Sequence, residues 1–576
     1  MAINLRYLPS VHYARALFVG LVAAACGGPR PAGMPSPAPG HRYLTVEQQA
    51  AQVVNRLAFG PRPGEINAVA SAGVDRWIER QLHPESIADS AADAALAKLP
   101  VWNASVQTLV QLNPPQDIFV NSLRQERGIA TGAQFTQTRE DSVTLKTIND
   151  RTNVLYGQII AGRVIRAQVS ERQLLEVMTD FWENHFSVFV GKMPTRFTML
   201  EYDRDVIRPR ALGKFRDLLG AVAHSPAMLY YLDNWQSVAD TAHLTLPEWG
   251  QQQRTGHAPQ NRKRPGLNEN YGRELLELHT LGVDGGYTQQ DVIAVARALT
   301  GWTVQAPRQG GGFFFRADVH DAEPKVVLGH TLAAGRGIED GEEVLDILAR
   351  HPSTAHFIAT KLARRFVSDT PGAALVERAA AEFTRTDGDI RAVVRTIVTS
   401  PEFFSRAAYR AKVKTPFELV VSARRILGAQ PDTSPRSAQR MAQLQQQLWG
   451  KLTPNGWPET GDQWINAGSL LDRINFGVQM GTGRGLPGAT VEQWPGWNEL
   501  AKAPLEKQVD GVIERVLGGD ASHETRAILL AGQNPILAQG HDPGAVVMTR
   551  RPTVPPPPTL RDLLGLALGS PEFQRR

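Results

Sequence analysis

Apolar side chains recur at three- and four-residue intervals along most of the chain after residue 44. The clearest stretch is 171–186, whose apolar positions are Leu174, Leu175, Val177, Met178, Phe181 and Trp182. This spacing is typical of an amphipathic helix. Strand-like stretches are short, and we interpret 312–316 and 325–328 as one small hairpin. The sequence therefore predicts a mainly α fold, an irregular multi-helix body with a small β-hairpin.

Helix starts are marked by hydroxyl side chains. Thr45 with Gln48, and Thr288 with Asp291, have the residue types and spacing of capping boxes. Three apolar helices are each followed by a Ser-Pro pair, at 225–226, 400–401 and 570–571. Serine is a favoured N-cap, and proline is tolerated at the first helical position. Each pair therefore predicts a tight corner between two helices.

The chain of 576 residues divides by composition into four parts. Residues 1–25 form a signal peptide, and 26–43 form a Pro-rich tether of the kind that acts as a semi-rigid spacer. A helical domain follows over 44–490, with a polar, mobile insertion near 236–266. The final segment, 491–576, is predicted to be a C-terminal helical extension.

The N-terminus predicts export. Arg6 and Arg15 precede an apolar run over 16–25 that is long enough for a signal peptide but too short to span a bilayer. Small residues then lead to Cys26, as at a bacterial lipoprotein cleavage site, although Ala23 stands where leucine is preferred. We predict that Cys26 is lipidated and anchors the protein in the periplasm or outer envelope. The alternative is an ordinary secretory signal that leaves Cys26 free.

Composition excludes several classes of protein. Cys26 is the only cysteine, so an intramolecular disulfide or a cysteine-based zinc site cannot form. The formal net charge is only +5 and the basic residues are not clustered, which argues against a nucleic-acid partner. The chain also has no Gly-x-Ser-x-Gly elbow, dinucleotide fingerprint or phosphate-binding loop.

The first candidate for chemistry is the stretch Asp180–Phe186. His185 is a candidate general base or metal ligand, or a buried structural histidine among aromatic rings. Asn184 lies one helical turn from Asp180 and is a candidate ligand-binding residue.

The second candidate is the stretch 268–282, which Asn268 can cap and Gly282 can end. Asn270 and Glu274 share one stripe of this helix, and Glu274 has no partner of opposite charge on that stripe. A carboxylate directed toward a core requires a partner or a function. Glu274 is therefore a candidate catalytic acid or nucleophile and Asn270 a candidate ligand-binding residue, or Glu274 is buried and bound to loop amides.

The third candidate is the loop-borne pair His320 and Asp321. Together with His185 and Glu274 they have the composition of an acid–base pair or of a divalent metal site, provided that the fold brings them together. The fourth is the Gly- and Pro-rich segment 454–469, named here the Trp loop. Its residues Trp457 and Trp464 could stack on a sugar, or they could pin the loop to the helical body.

These stretches, in this order, resemble the bacterial domain of unknown function 1800 family. The matching motifs are Arg56-Leu-Ala-Phe-Gly60, Phe-Trp-Glu-Asn-His-Phe at 181–186, Asn-Glu-Asn-Tyr-Gly-Arg-Glu-Leu-Leu-Glu-Leu at 268–278, His-Asp and Lys at 320–325, Gly-Trp-Pro and Trp-Ile in the Trp loop, and Leu-Leu-Asp-Arg-Ile-Asn-Phe at 470–476. His279 departs from the pattern, since the family usually has an aromatic residue there. The resemblance implies an exported envelope protein and a sulfatase-like partner, but no established activity.

Two hypotheses follow. The first is an envelope hydrolase of polysaccharide or another polymer, with Glu274 or Asp321 as acid or nucleophile and His185 and His320 as base or metal ligands. The second is a non-catalytic binding or assembly factor that is tethered to the membrane and works with a sulfatase-like partner.

Overall fold

Helices dominate the structure, as the apolar periodicity predicts. The computed structural model describes residues 44–129, 134–257, 264, 266–306, 309–483, 491–494, 496–533 and 557–576. The helices of its first half are α1 (Val46–Arg56), α2 (Glu65–Ala72), α3 (Val74–Leu82), α4 (Ser90–Leu96), α5 (Val106–Leu112), α6 (Gln116–Glu126), α7 (Arg139–Val169), α8 (Gln173–His185), α9 (Thr195–Glu201), α10 (Phe215–Ala223), α11 (Pro226–Tyr231), α12 (Leu246–Thr255), α13 (Glu269–Glu274) and α14 (Gln289–Ala298).

The second half continues in the same way. Its helices are α15 (Glu339–Arg350), α16 (Pro352–Phe366), α17 (Ala373–Arg385), α18 (Ile390–Val398), α19 (Pro416–Ile426), α20 (Arg436–Gln443), α21 (Ala467–Gly481), α22 (Trp497–Lys502), α23 (Leu505–Leu517), α24 (His523–Ala531), α25 (Leu560–Leu568) and α26 (Pro571–Gln574). Two π-helical turns, Tyr202–Ile207 and Leu275–Thr280, extend α9 and α13.

The predicted helix starts are confirmed except at one Ser-Pro pair. Thr45 with Gln48 and Thr288 with Asp291 form reciprocal capping boxes. Two of the Ser-Pro pairs begin helices, since Ser225 caps α11 and Ser570 caps α26. The third pair opens a series of turns in place of a helix, although the Ser400 hydroxyl still accepts a hydrogen bond from the Phe403 amide at 3.2 Å.

The strand segments form two hairpins, so the predicted pairing between them is wrong. β1 (Trp302–Val304) pairs with β2 (Phe313–Phe315), and β3 (Lys325–Val327) pairs with β4 (His330–Leu332), each antiparallel. Both partner strands are only three residues long, which gives too little alternation for the sequence to reveal them.

Helix α8 lies in the middle of the hydrophobic core. Trp182 has no exposed surface, and its indole Nε1 donates to the carbonyl of Ala211 at 3.0 Å. Arg163 of α7 is also fully buried and binds the carboxylates of Glu176 and Glu183 on α8. Because α7 fixes α8 through these contacts, the last two turns of α8 are held rigidly.

The polar insertion contains a helix that the sequence interpretation missed. α12 lies within 236–266 and starts at a capping box formed by Thr245 and Glu248. Its backbone is joined to the rest of the body by a bridge between Thr245 and Asp321. The stretch is rich in Gln and Arg with little apolar periodicity, so nothing but the cap marked this helix in the sequence.

The segment after 490 packs closely against the preceding helices. A Cβ at Gly481 of α21 would lie 2.2 Å from the amide nitrogen of Gly565 in α25, so the two backbones meet directly. The described residues from 44 onward form one compact unit.

The predicted signal peptide, the tether and Cys26 lie outside the described residues. Among the residues that the structure describes, no helix is both long and apolar enough to cross a membrane.

Candidate functional site

The pair His320 and Asp321 is buried in a polar network. Both side chains are 0 % exposed. Arg297 holds the Asp321 carboxylate with two hydrogen bonds, of 2.7 and 3.1 Å. His320 Nδ1 donates to the carbonyl of Thr300 at 2.8 Å, and its Nε2 lies 3.5 Å from Asp340.

Lys325 completes this network. Its ammonium donates to the carbonyls of Asp321 and Glu323 and, at 2.7 Å, to the carboxylate of Asp340. The motif His-Asp-x-x-x-Lys therefore fastens the loop between the two hairpins to α15. The polar groups of Asp321 are all hydrogen-bonded to other residues of the protein. This geometry supports a structural role for Asp321.

His185 is buried beside His279. His185 Nε2 donates to the backbone carbonyl of His279 at 3.1 Å, and neither ring is more than 2 % exposed. Burial, followed by the nearby charge of Lys361, lowers the pKa of His185 well below its usual value and that of His279 to about 3. Both rings are therefore neutral, and their aromatic neighbours are Phe181, Phe186 and Tyr271.

Glu274 and Asn270 lie on α13. Burial and the neighbouring charge of Glu277 raise the pKa of the half-buried Glu274, which makes no hydrogen bond or ion pair with another described residue. The exposed Asn270 reaches the carbonyl of Leu232 at 3.5 Å. The predicted lack of a partner for Glu274 agrees with this geometry, whereas its catalytic role stays a prediction.

Asn184 and the Trp loop lie at one cleft. Asn184 Oδ1 accepts a hydrogen bond from the amide of Trp457 at 2.7 Å, and its Nδ2 donates to the carbonyl of Trp457 at 2.9 Å. Gly456, with a φ of +73°, permits this approach, because a Cβ there would lie 2.2 Å from the carbonyl oxygen of Asn184. The Gly-Trp-Pro motif is thus explained by a close contact between the loop and α8.

The two tryptophans of the loop differ in their roles. Trp464 is 8 % exposed and donates its Nε1 to the carbonyl of Pro458 at 2.9 Å, a bond within the loop that stabilises its shape. Trp457 is half-buried, 5.9 Å from Trp464 between ring centroids, with the Lys451 ammonium 5.4 Å from its ring. The geometry is therefore compatible both with stacking of this pair on a sugar and with a role in holding the loop to the helical body.

The cleft has an empty volume of about 810 Å³, including the part open to solvent. It is lined by α8, α16, the segments 412–415 and 446–449, the Trp loop and residue 576; the residues are Asp180, Phe181, Glu183, Asn184, Ser187, Arg365, Lys412, Val413, Thr415, Gln446, Leu448, Trp449, Trp457, Pro458, Glu459, Trp464 and Arg576. Asn184, Trp457 and Trp464 are thus brought together. His185, Asn270, Glu274, His320 and Asp321 are not among its lining residues.

Asp180 is the carboxylate of α8 that is most open to the cleft, with 20 % of its side chain exposed. Its oxygens lie 3.9 Å from Arg163 and 3.7 Å from Arg365, beyond hydrogen-bond distance. Burial raises the pKa of Asp180 despite these two cations. Burial and the charge of Asp203 also raise the pKa of Glu183 well above its usual value.

The six charged lining residues Asp180, Glu183, Arg365, Lys412, Glu459 and Arg576 were missed as site residues. Asp180 and Glu183 had a signal, because both lie in the candidate stretch Asp180–Phe186. The other four lie far from α8 in the sequence, and only the fold brings them to it.

A preformed metal site is not apparent. Within the described residues, no group of three or more His, Cys, Asp or Glu side chains is arranged to hold a metal ion. The predicted combination of His185, Glu274, His320 and Asp321 does not form such a group.

The fold and cleft define a mainly helical protein with a polar, tryptophan-lined cleft. The model of a family described as "Protein of unknown function (DUF1800)" matches residues 52–575, and the chain belongs to this family. No curated protein and no solved structure matches the chain.

Proposed function

We propose that the protein is an exported, lipid-anchored envelope hydrolase that acts on polysaccharide or a related envelope polymer, and that the cleft is its active site. The observation that carries the proposal is the meeting of a carboxyl group of raised pKa, Asp180, with the tryptophans of the Trp loop in one cleft. Aromatic faces can stack on sugar rings. A partly buried carboxyl group whose pKa is raised is suited to act as a general acid.

The proposed reaction uses two carboxyl groups. Asp180 donates its proton to the glycosidic oxygen as the bond to the anomeric carbon breaks. Glu459, which is ion-paired with Lys361 at 2.7 Å, either attacks that carbon or takes a proton from the attacking water. This division of labour is the common one in glycoside hydrolysis.

The test is the release of reducing ends from a panel of envelope and extracellular polysaccharides by the purified protein. We expect Asp180→Asn to lower turnover by roughly two to four orders of magnitude, the usual contribution of a general acid. Asp217→Asn, at an exposed aspartate of α10, is the matched control and should leave turnover unchanged. Full activity of the Asp180→Asn protein on a substrate of the wild type would refute this assignment.

The second candidate function is that of a binding or assembly factor working with a sulfatase-like partner. The anchoring of the Trp loop by Asn184, together with the bond from Trp464 to Pro458 inside the loop, favours it, because a preformed surface can hold a ligand without any chemistry. Tight polysaccharide binding with no turnover in any condition would support this alternative and exclude the hydrolase.

The proposed location depends on Cys26, the only cysteine of the chain. Cells that express the protein should incorporate labelled fatty acid into it and retain it in the membrane fraction. Cys26→Ser should abolish both, and its unchanged membrane retention would contradict lipid anchoring.

A further inference from the structure

Three of the side chains that line the cleft are buried cations. Lys412 is 2 % exposed and Arg576 is 4 % exposed, and 11 % of the Arg365 side chain is exposed. Lys412 binds the carboxylate of Asp369 and donates to the carbonyl of Glu459 at 2.9 Å. These cations therefore come from distant segments but converge on the cleft that Asp180 shares.

Positive charge exceeds negative charge around the wall of the cleft that is formed by Arg365, Lys412 and Arg576. Asp180, Asp369 and Glu418 are the acids of the cluster, and six cations interact with at least one of them: Arg56, Arg365, Lys412, Lys414, Arg473 and Arg576. Of these cations, Arg365, Lys412 and Arg576 line the cleft. The single carboxylate of Glu418 forms ion pairs with both Arg365 and Arg576. Of the remaining acids in the wall, Glu459 is paired with Lys361, and Glu183 is paired with Arg163.

Several of the six cations have only neutral hydrogen-bond partners. Arg56 donates to the carbonyls of Phe366, Val367 and Ala408, and Lys414 donates to the hydroxyl of Ser422. Burying an unpaired charge is costly, because neutral groups replace the lost hydration poorly. In agreement with this, burial lowers the pKa of Lys412 to about 8 and that of Lys414 to about 7. A bound anion would relieve this imbalance.

Three residues that line the cleft carry buried N–H donors that have no acceptor among the described residues. These are the Nε of Arg365 and the indole Nε1 atoms of Trp449 and Trp457. Trp449 is 6 % exposed, so its N–H is withdrawn from bulk solvent. Oxyanions offer several acceptor atoms in a small volume, and they bind strongly to charged donors.

We propose that the cleft binds an acidic saccharide, whose sulfate, phosphate or carboxylate group contacts Lys412, Arg365 and the Trp449 indole while its ring lies against Trp457. The proposal rests on the proposed function, since it names the class of saccharide that the same cleft takes. The oxyanion chemistry is shared by the three groups, and the probes below distinguish them.

The experiment measures binding by calorimetry to full-length protein. The probes are an oligogalacturonide, a sulfated galacto-oligosaccharide, a phosphorylated galacto-oligosaccharide and the neutral galacto-oligosaccharide of the same length. We expect at least one acidic probe to bind at least tenfold more tightly than the neutral one. Lys412→Gln should remove most of that preference, whereas Lys412→Arg should retain it.

A second variant guards against misfolding of the Lys412 proteins. Trp449→Phe keeps the aromatic bulk but removes the N–H, and we expect it to weaken acidic binding by about threefold to tenfold with little effect on neutral binding. Lys146→Gln, at an exposed lysine of α7, is the control and should change neither. Circular dichroism verifies that each variant is folded.

The outcomes separate the two proposals. Equal binding of the acidic and neutral probes, together with Asp180-dependent turnover, would overturn the acidic preference and leave the hydrolase intact. An acidic preference that Lys412→Gln and Trp449→Phe both leave unchanged in folded protein would also overturn the assignment to this wall. Acidic binding that depends on Lys412 but occurs without turnover would support the acidic site and refute the hydrolase. Failure of every probe to bind would refute the acidic site.

Discussion

Asn184 and Trp457 are joined by two hydrogen bonds, in which the amide group of Asn184 satisfies both the backbone N–H and the backbone carbonyl of Trp457. One polar side chain of α8 thereby holds the Trp loop against the helix that carries Asp180.

Asn184→Ala should release the Trp loop. The variant loses both hydrogen bonds and leaves the backbone groups of Trp457 without these partners, so we expect the free energy of unfolding to fall by about 2 kcal/mol. Trypsin should also cut after Lys451 faster than in the wild type. Asn103→Ala, at an exposed asparagine, should change neither the denaturation midpoint nor the cleavage rate. Unchanged cleavage of the Asn184→Ala protein would show that the loop is held by other contacts.

Lys325→Met should destabilise the fold. The substitution keeps much of the volume but removes the ammonium that bridges Asp340 and two backbone carbonyls, so a buried carboxylate loses its closest cation. We expect a loss of about 3 kcal/mol in chemical denaturation. The exposed Lys146→Met is the control.

Chemical denaturation of an Asp321→Asn variant, combined with the turnover assay, tests whether Asp321 is catalytic. If Asp321→Asn abolished polysaccharide turnover without lowering stability, the structural interpretation of the His-Asp motif would fail.

The pair His185 and His279 should make the protein sensitive to acid. Both histidines have a lowered pKa in the folded state, so below about pH 6.5 the unfolded chain binds more protons than the folded protein. Stability from this source is present at neutral pH and is lost as the pH falls. For His279 the loss between pH 7 and pH 5 should be about 2 kcal/mol.

His279→Phe, the kind of residue that the family usually has there, should reduce this pH dependence and leave the part that comes from His185. The check is the denaturation midpoint measured at pH 7, 6 and 5. His523→Phe, at an exposed position of α24, should keep the wild-type slope. A steep slope that persists in the His279→Phe protein would assign the acid sensitivity to other groups.

Gly481→Ala should weaken the docking of α25 on α21. The added Cβ would lie 2.2 Å from the amide nitrogen and 2.4 Å from the Cα of Gly565, and a backbone contact cannot yield as a flexible side chain would. We expect a loss of about 1–3 kcal/mol in thermal or chemical unfolding. Gly468→Ala in the same helix meets only the Asn466 side chain, at 3.4 Å, and should be close to neutral. Equal stability of both variants would contradict the close packing.

Local patterns in the sequence predicted the helices well because periodicity and capping are local properties. The capping boxes at Thr45 and Thr288 formed as predicted. Pairing between strands depends on partners that the sequence does not indicate, and for that reason the two short hairpins were read as one.

The site was only partly predictable for a similar reason. Asn184 and Trp457 were found because they belong to motifs, whereas Lys412 and Arg576 carry no local signal and become important only through the fold. His320 and Asp321 look exposed in the sequence, but the partners that bury them, Arg297 and Asp340, lie outside their loop.

Arg576 lies about 400 residues after Asp180 in the chain, and both residues line the cleft. Contacts between segments so distant in sequence slow folding. The cleft is therefore complete only after the segment that carries Arg576 has packed against the body. A chain that is still being synthesised carries α8 but lacks this part of the binding surface. Any ligand or partner that needs all of these walls would recognise the finished protein and ignore its folding intermediates.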